Sequence, residues 1–198
     1  MNRTTRYKVA YVVALAFVGA LAYVAIERSG NGIGSVVLVV AALLVPGRIQ
    51  GAYYREMFNG RRLLDLGNAS AAQERFKLFL GQLARRPWIK RLLWLSWSFY
   101  TPSVEAMTWN NIACCELEQG RMTEAKEAID TALALDPLYP LPYFNLAVLY
   151  ELGANRSDAE RALEKANALG YSGGTMDAVV RKGQSILAGV ESRGVRAS

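Results

Sequence analysis

Hydrophobic positions recur with a helical spacing through the second half of the chain, and the whole pattern occurs twice. Apolar or small residues stand at positions 109, 112, 113 and 117, and again at 125, 129, 132 and 133. This spacing places each set on one face of a helix. Gly120 permits a turn between the two predicted helices, and Pro137 ends the second. A copy of this helix pair follows 34 residues later, so that Asn111 aligns with Asn145.

The repeated pattern resembles the tetratricopeptide repeat, a pair of helices that spans 34 residues. Two copies occupy residues 106–171, and a weaker, degenerate copy occupies residues 53–85. The resemblance implies an all-α fold of the α-solenoid type, because one helix pair cannot bury its apolar face without a neighbour. Glu116 stands where the family places an aromatic residue. We expect either looser packing at this position or a carboxylate that faces a groove.

Two apolar segments within residues 1–52 predict an N-terminal two-helix transmembrane hairpin. Residues 9–26 contain no charge, and residues 33–52 are interrupted only by Arg48. A membrane-spanning helix needs roughly 18 to 20 such residues. Basic residues precede the first segment and follow the second, whereas the connecting turn holds one arginine and one glutamate. Positive flanks stay inside. The sequence therefore predicts a multi-pass integral protein of the plasma or bacterial inner membrane with cytoplasmic repeats. A cleaved signal peptide is the alternative for the first segment.

An insert at residues 86–105 separates the degenerate repeat from the two full copies. It holds three of the four tryptophans beside several basic residues. This composition is typical of a segment in the lipid headgroup region, where anionic lipids attract cations. Alternatively, its aromatic side chains seal the gap between the hairpin and the repeats, or between misaligned repeats. The candidate membrane-interface residues are Trp88, Lys90, Arg91, Trp94, Trp97 and, beside the second span, Arg48.

The composition offers little catalytic chemistry. Histidine, the commonest general base and a frequent zinc ligand, is absent from the sequence. The two cysteines, Cys114 and Cys115, are adjacent on a predicted helix and point about 100° apart. This arrangement suits packing better than a metal site. We therefore predict no enzymatic activity, no cofactor and no metal.

The chain has a net charge of +6, and its basic residues are concentrated beside the predicted spans and in the insert. The two full repeats mix both signs. A bilayer surface explains this distribution more simply than a nucleic acid does. The predicted partners are therefore a protein or peptide and the lipid bilayer with its anionic headgroups, but no nucleic acid.

The resemblance also implies a concave groove that is lined by the first helix of each pair and holds a peptide or a partner helix. In the family, an asparagine in this helix often binds the ligand backbone, and Asn111 and Asn145 occupy that place. Alternatively, both asparagines only face water. The other candidate groove residues are Asn110, Arg61, Cys114, Phe144, Val148 and Glu118.

A capping helix is predicted over residues 172–190, followed by a polar tail over 191–198. An array of repeats needs an end helix that has one polar, solvent-exposed face. The whole pattern predicts a membrane-anchored adaptor or scaffold that holds a protein partner at the cytoplasmic face. The alternative is a structural or assembly subunit of a larger membrane complex, which contacts its partners through the spans and the insert.

Overall fold

The computed structural model describes residues 3–29, 34, 37, 40, 47–95 and 100–197. These residues form helices and turns, with no strand among them. Residues 47–53 are helical, and a 3₁₀ helix covers Pro87–Leu95. The α-helices are α1 (Arg3–Ser29), α2 (Arg55–Asp65), α3 (Ala69–Arg85), α4 (Val104–Glu118), α5 (Met122–Leu135), α6 (Pro140–Leu152), α7 (Arg156–Ala168) and α8 (Met176–Ala197).

Helices α2 to α7 form three successive pairs, each closed by a short turn and each packed against the next. The residue that ends each turn adopts a left-handed backbone conformation. Gly67 and Gly120 have φ angles of 77° and 75°, and Ala154 has a φ of 55° at the corresponding place of the third pair. Glycine adopts this conformation without steric cost, whereas alanine does not. The described residues are thus all-helical, consistent with an α-solenoid.

Polar side chains fix where several of these helices begin. Asn68, Ser103 and Asn155 each accept a hydrogen bond from the backbone N–H three residues later, at distances of 3.1 to 3.3 Å. Each bond satisfies one of the N–H groups that have no partner within the helix. These caps set the starts of α3, α4 and α7 and therefore the rotation of their side chains around the helix axis.

The core of the first pair depends on a close approach of α2 and α3. The Phe76 ring lies against Gly60, and a Cβ atom at Gly60 would stand only 2.6 Å from Phe76 Cε1. Phe79 and Leu83 of the same helix are also fully buried. This cluster continues into α4 through Ile112 and related residues, so the first two pairs share one core.

The described part of the insert packs on the chain itself. Ile89 and Leu93 are buried. The Tyr54 hydroxyl donates a hydrogen bond to the Ile89 carbonyl at 3.2 Å, and Gln50 Nε2 donates to the Leu92 carbonyl at 3.1 Å. The 3₁₀ helix therefore packs beside residues 50–54 through these two aliphatic side chains and two hydrogen bonds.

The predicted transmembrane hairpin is wrong for the part of the chain that the structure describes. No helix that these residues form is long and apolar enough to cross a membrane. The first predicted span lies in α1, where the uncharged run includes Gly19, two tyrosines and six alanines. At 18 residues, this run is at the lower limit of the length of a span. Most of residues 33–46, in the second predicted span, lies outside the described residues.

The predicted multi-pass membrane location with cytoplasmic repeats depended on the same two spans and is corrected with them.

At the other end of the chain, α8 continues to Ala197, through residues that were expected to form a polar tail. Val179 and Ile186 of α8 are fully buried, and the helix packs mainly against α6. Helix α8 therefore covers the apolar face that the third pair would otherwise expose.

Candidate partner-binding groove

A groove with a cavity volume of about 530 Å³ lies between α2, α4, α6 and α8. We call it the asparagine groove, because three buried asparagines lie at its centre. Seven of the eight residues predicted from the sequence line it: Arg61, Asn110, Asn111, Cys114, Glu118, Phe144 and Asn145. The helices that supply them are the first helices of the three pairs, whose common orientation follows from the repeat.

The three asparagines contact their groove neighbours and are almost entirely buried. Asn110, Asn111 and Asn145 are 4%, 3% and 8% exposed. Asn145 Nδ2 donates a hydrogen bond to Asn110 Oδ1 at 2.8 Å and lies 3.3 Å from Cys114 Sγ. Asn111 Oδ1 accepts a long hydrogen bond of 3.5 Å from Arg61. Asn110 and Asn145 therefore form one hydrogen-bonded pair, and Asn111 makes separate contacts with Arg61 and Met57.

The Asn110–Asn145 pair leaves one acceptor and one donor unused. Among the described residues, Asn145 Oδ1 and Asn110 Nδ2 have no hydrogen-bond partner. No enclosed side-chain nitrogen or oxygen of this part of the chain lacks a partner, so both atoms reach the groove surface. A peptide group presents one N–H and one C=O, which is the complementary pair.

The charges along the groove are balanced. Arg61 and Lys182 are its cations, and Asp65 and Glu118 are its acids. Lys182 of α8 donates to Glu118 Oε1 of α4, so the capping helix closes one end of the groove with an ion pair. The groove therefore has no strong preference for the net charge of a ligand.

Aromatic residues form the wall at one end of the groove. The rings of Phe144 and Tyr171 are 4.9 Å apart, and Tyr100 lies 6.4 Å from Tyr171. Leu141 completes this apolar wall. Sequence reasoning did not assign Tyr171, Lys182, Leu64 or Asp65 to the groove. Lys182 could have been found from its position between Val179 and Ile186, the residues that pack α8 onto the third pair.

Both thiols of the cysteine pair are protonated at neutral pH. Burial raises the pKa of Cys114, although Lys182, Asn145 and Arg61 oppose this shift. Burial and the neighbouring Cys114 raise the pKa of Cys115 to about 12. A reactive cysteine needs a lowered pKa, so neither thiol is activated. Among the described residues, no group of acidic or sulfur side chains could hold a metal ion.

Val148 lies in the core rather than on the groove surface on which it was predicted. It is fully buried and belongs to a cluster with Val179 and Ile186 of α8. The reason is that α8 covers this side of α6, and the spacing within one repeat could not reveal that cover. Val148 therefore contributes to stability and not to the groove lining.

The candidate membrane-interface residues are only partly placed. Trp88 is 47% exposed, with its ring edge-on to Tyr53 at 4.7 Å. Lys90 Nζ lies 2.9 Å from Glu105 Oε1. Arg48 and Arg91 are exposed, whereas the Trp94 side chain and all of Trp97 lie outside the described residues. The described contacts of Trp88 and Lys90 are contacts with the chain itself.

A polar cluster around the buried Glu116 joins the first and second pairs. We call it the Glu116 clasp, formed by Gln73, Glu116, Gln119 and Arg121. Glu116 is 6% exposed and accepts hydrogen bonds from Gln73 Nε2 and, at 2.5 Å, from Arg121 Nε. Arg121 also donates to Gln73 Oε1 at 2.7 Å. The carboxylate therefore neither loosens the packing nor faces the groove, because it links α3 to α4.

Comparison with known protein families identifies a tetratricopeptide repeat at residues 107–137. This match covers the middle helix pair and confirms that part of the predicted repeat array. A comparison with curated proteins gives no match to the chain. The first and third pairs lie outside the matched residues, although both have the same helix–turn–helix arrangement.

Proposed function

We propose that the chain is a protein-binding adaptor whose asparagine groove holds an extended segment of a partner protein by its backbone. The observation that carries this proposal is the Asn110–Asn145 pair, in which Asn145 Oδ1 and Asn110 Nδ2 remain available at the groove surface. These two atoms can bind the N–H and the C=O of a bound peptide. The tetratricopeptide repeat at residues 107–137 supports a role in protein–protein interaction.

The groove chemistry favours a backbone-directed mode of binding. Its cations and acids already balance one another, and Lys182 is paired with Glu118. A ligand side chain therefore gains little from charge alone. The wall of Leu141, Phe144 and Tyr171 offers an apolar surface for one ligand side chain. We expect the backbone bonds to supply affinity and this wall to supply the sequence preference.

A catalytic role has no support in the groove. Cys114 is a thiol that lines the groove, and burial keeps its pKa raised. Tetratricopeptide repeats are typically interaction modules without catalytic activity. Binding, rather than chemical conversion of the ligand, is therefore the activity that we propose.

The proposal can be tested with a displayed library of random peptides of about 12 residues, a length that an extended chain spans in about 40 Å. Peptides selected on the full chain are then measured by fluorescence anisotropy against the native protein and Asn110→Ala/Asn145→Ala. We expect the double variant to lose at least about tenfold in affinity, as central polar contacts do. Methylation of one peptide-backbone nitrogen should produce a similar loss.

The matched control is Glu127→Ala/Glu164→Ala, which removes two exposed side chains from the outer helices α5 and α7. This control should bind the selected peptides with native affinity. Circular dichroism on all three proteins separates loss of binding from loss of folding. Equal binding by the folded Asn110→Ala/Asn145→Ala variant would contradict the proposal.

A further inference from the structure

Helix α3 carries a second surface, away from the asparagine groove. Its residues recur every three or four positions along one side of the helix and line a shallow cavity of about 730 Å³. We call this surface the α3 stripe: Glu74, Lys77, Leu78, Gly81, Gln82, Arg85 and Arg86. The opposite side of the helix carries Phe76, Phe79 and Leu83, which are fully buried. The stripe is therefore the side of α3 that the repeat core does not use.

Two residues of the stripe have no explanation in the fold of the described residues. Leu78 is 57% exposed. Gly81 stands inside a helix of 17 residues, where glycine is less favourable than alanine. A Cβ atom added at Gly81 would meet nothing within 4 Å, so internal packing does not require a glycine. The Leu78 side chain therefore projects from the helix, and the missing side chain at Gly81 leaves a shallow trough beside it.

The other two outer helices provide an internal comparison, because α5 and α7 occupy the same place in their pairs. Where α3 has Lys77, Leu78 and Gly81, the others carry an acid, a polar residue and an alanine. The corresponding residues are Asp130, Thr131 and Ala134 in α5, and Glu164, Lys165 and Ala168 in α7. The repeat template therefore does not demand the apolar and basic character of the α3 stripe.

The charges of the stripe are not fully explained by its position at a helix end. Arg85 and Arg86 lie at the C-terminus of α3, where the helix dipole favours cations. The equivalent last turn of α5 nevertheless contains no basic residue. Lys77 lies in the middle of α3, where the dipole has little effect. With Glu74 as its only acid, the stripe has an excess of positive charge.

We propose that the α3 stripe docks an acidic amphipathic helix of a partner protein. An apolar residue of this helix fits the trough at Gly81 against Leu78, and its carboxylates face Lys77, Arg85 and Arg86. From residue 74 to residue 86 the stripe is about 18 Å long, which matches three turns of a docked helix. Close approach of a helix is easiest where the host residue has no side chain. Charge complementarity selects an acidic partner.

The test uses two synthetic amphipathic helices of about 18 residues, which form five turns. Both carry leucine at the same apolar positions, and one has a glutamate face and the other a lysine face. Each is titrated against the full chain by fluorescence anisotropy. We expect the acidic peptide to bind at least about tenfold more tightly than the basic one and to weaken with added salt.

The decisive variant is Gly81→Leu, which places a side chain in the trough and whose Cβ atom would meet nothing within 4 Å. It should weaken binding of the acidic peptide at least about tenfold, while the melting temperature stays equal or rises because leucine favours the helix. If Gly81 served only the fold, the substitution would lower the melting temperature and leave binding of the acidic peptide unchanged. Arg85→Glu/Arg86→Glu should weaken binding similarly. The matched control, Ala134→Leu at the equivalent place of α5, should bind like the native protein.

Three results would overturn the proposal. One is equal affinity for the acidic and basic helices, and another is undiminished binding by folded Gly81→Leu. The third is capture of the chain by phosphatidylglycerol vesicles through these same residues, without binding of the acidic helix. Because the α3 stripe and the asparagine groove share no residue, failure here leaves the groove proposal intact. The selected groove peptides should bind Gly81→Leu with native affinity.

Discussion

The three helix pairs are joined at two junctions, and the two junctions use different chemistry at the same template position. In the second pair this position holds Glu116, which is buried among Gln73 and Arg121. In the third pair it holds Tyr150, which packs against an apolar cluster that includes Val148 and Ala147. The comparison shows that a repeat fixes where a side chain lies without fixing how it is stabilised.

The two solutions place different demands on the neighbouring helices. An apolar junction tolerates other apolar side chains of similar volume. A buried carboxylate needs matched donors, because an unpaired charge in the interior is costly. Gln73 and Arg121 meet this demand from α3 and from the turn before α5. We therefore infer that the Glu116 clasp sets how the first pair sits on the second, and with it the position of Arg61 beside Asn111.

The largest loss is expected inside the first pair, in the apolar core that this pair shares with the second. Phe76→Ala removes the ring that fills the space against Gly60 and opens a cavity in the core shared by the first two pairs. The free energy of unfolding should fall by about 3–5 kcal/mol, measured by urea denaturation. Phe58→Ala is the control, because this ring is 48% exposed and should cost far less. A loss below about 1 kcal/mol for Phe76→Ala would contradict the packing described here.

The next largest loss is expected at the junction between the first and second pairs, in the Glu116 clasp. Glu116→Gln keeps the shape but replaces one acceptor with an NH₂ group, which would face the donors of Gln73 or Arg121. We expect the free energy of unfolding to fall by about 1.5–3 kcal/mol, the range for hydrogen bonds to a charged group. The matched change at the other junction is Tyr150→Phe. That variant should remain within about 0.5 kcal/mol of the native protein, or the two junctions do not differ as proposed.

The repeat could be predicted from sequence because its signals are local and occur more than once. The spacing that aligns Asn111 with Asn145 predicts which side of each first helix faces the groove. The partner of Glu116 could not be predicted in the same way, since Gln73 is 43 residues distant in the chain. The pairing of Lys182 with Glu118 was hidden for the same reason, since these residues are 64 positions apart in the chain.

In the N-terminal quarter, by contrast, the prediction from sequence is wrong for the residues that the structure describes. The prediction of two spans counted the uncharged residues between Lys8 and Glu27, but no helix of the described residues meets the length and apolarity of a span. Helix α1 does carry exposed apolar side chains such as Phe17 and Leu21. The prediction of a repeat can be checked within the sequence, because the same pattern occurs a second time. The prediction of a span rests on one apolar run, and nothing else in the sequence tests it.

A smaller effect, of opposite sign, is expected at the turns that close the second and third pairs. Ala154 adopts a φ of 55° where the second pair has Gly120. Ala154→Gly removes the steric cost of this conformation and should raise the free energy of unfolding by about 1 kcal/mol. The reciprocal change, Gly120→Ala, should lower it, because its Cβ atom would also meet Val190 at 3.1 Å. Thermal unfolding of both variants checks the pair, and stabilisation by Gly120→Ala would refute the assignment.

The smallest expected effect concerns the ion pair of Lys182 and Glu118, whose side chains are 44% and 23% exposed. Lys182→Ala should cost about 0.2–1 kcal/mol. At about 1 M salt the screening length falls to about 3 Å, so most of this cost should vanish. The loss caused by Glu116→Gln should persist in the same salt, because that carboxylate is buried. If salt removed both losses equally, burial would not distinguish the clasp from the surface pair, and the clasp could not be what holds the first two pairs in register.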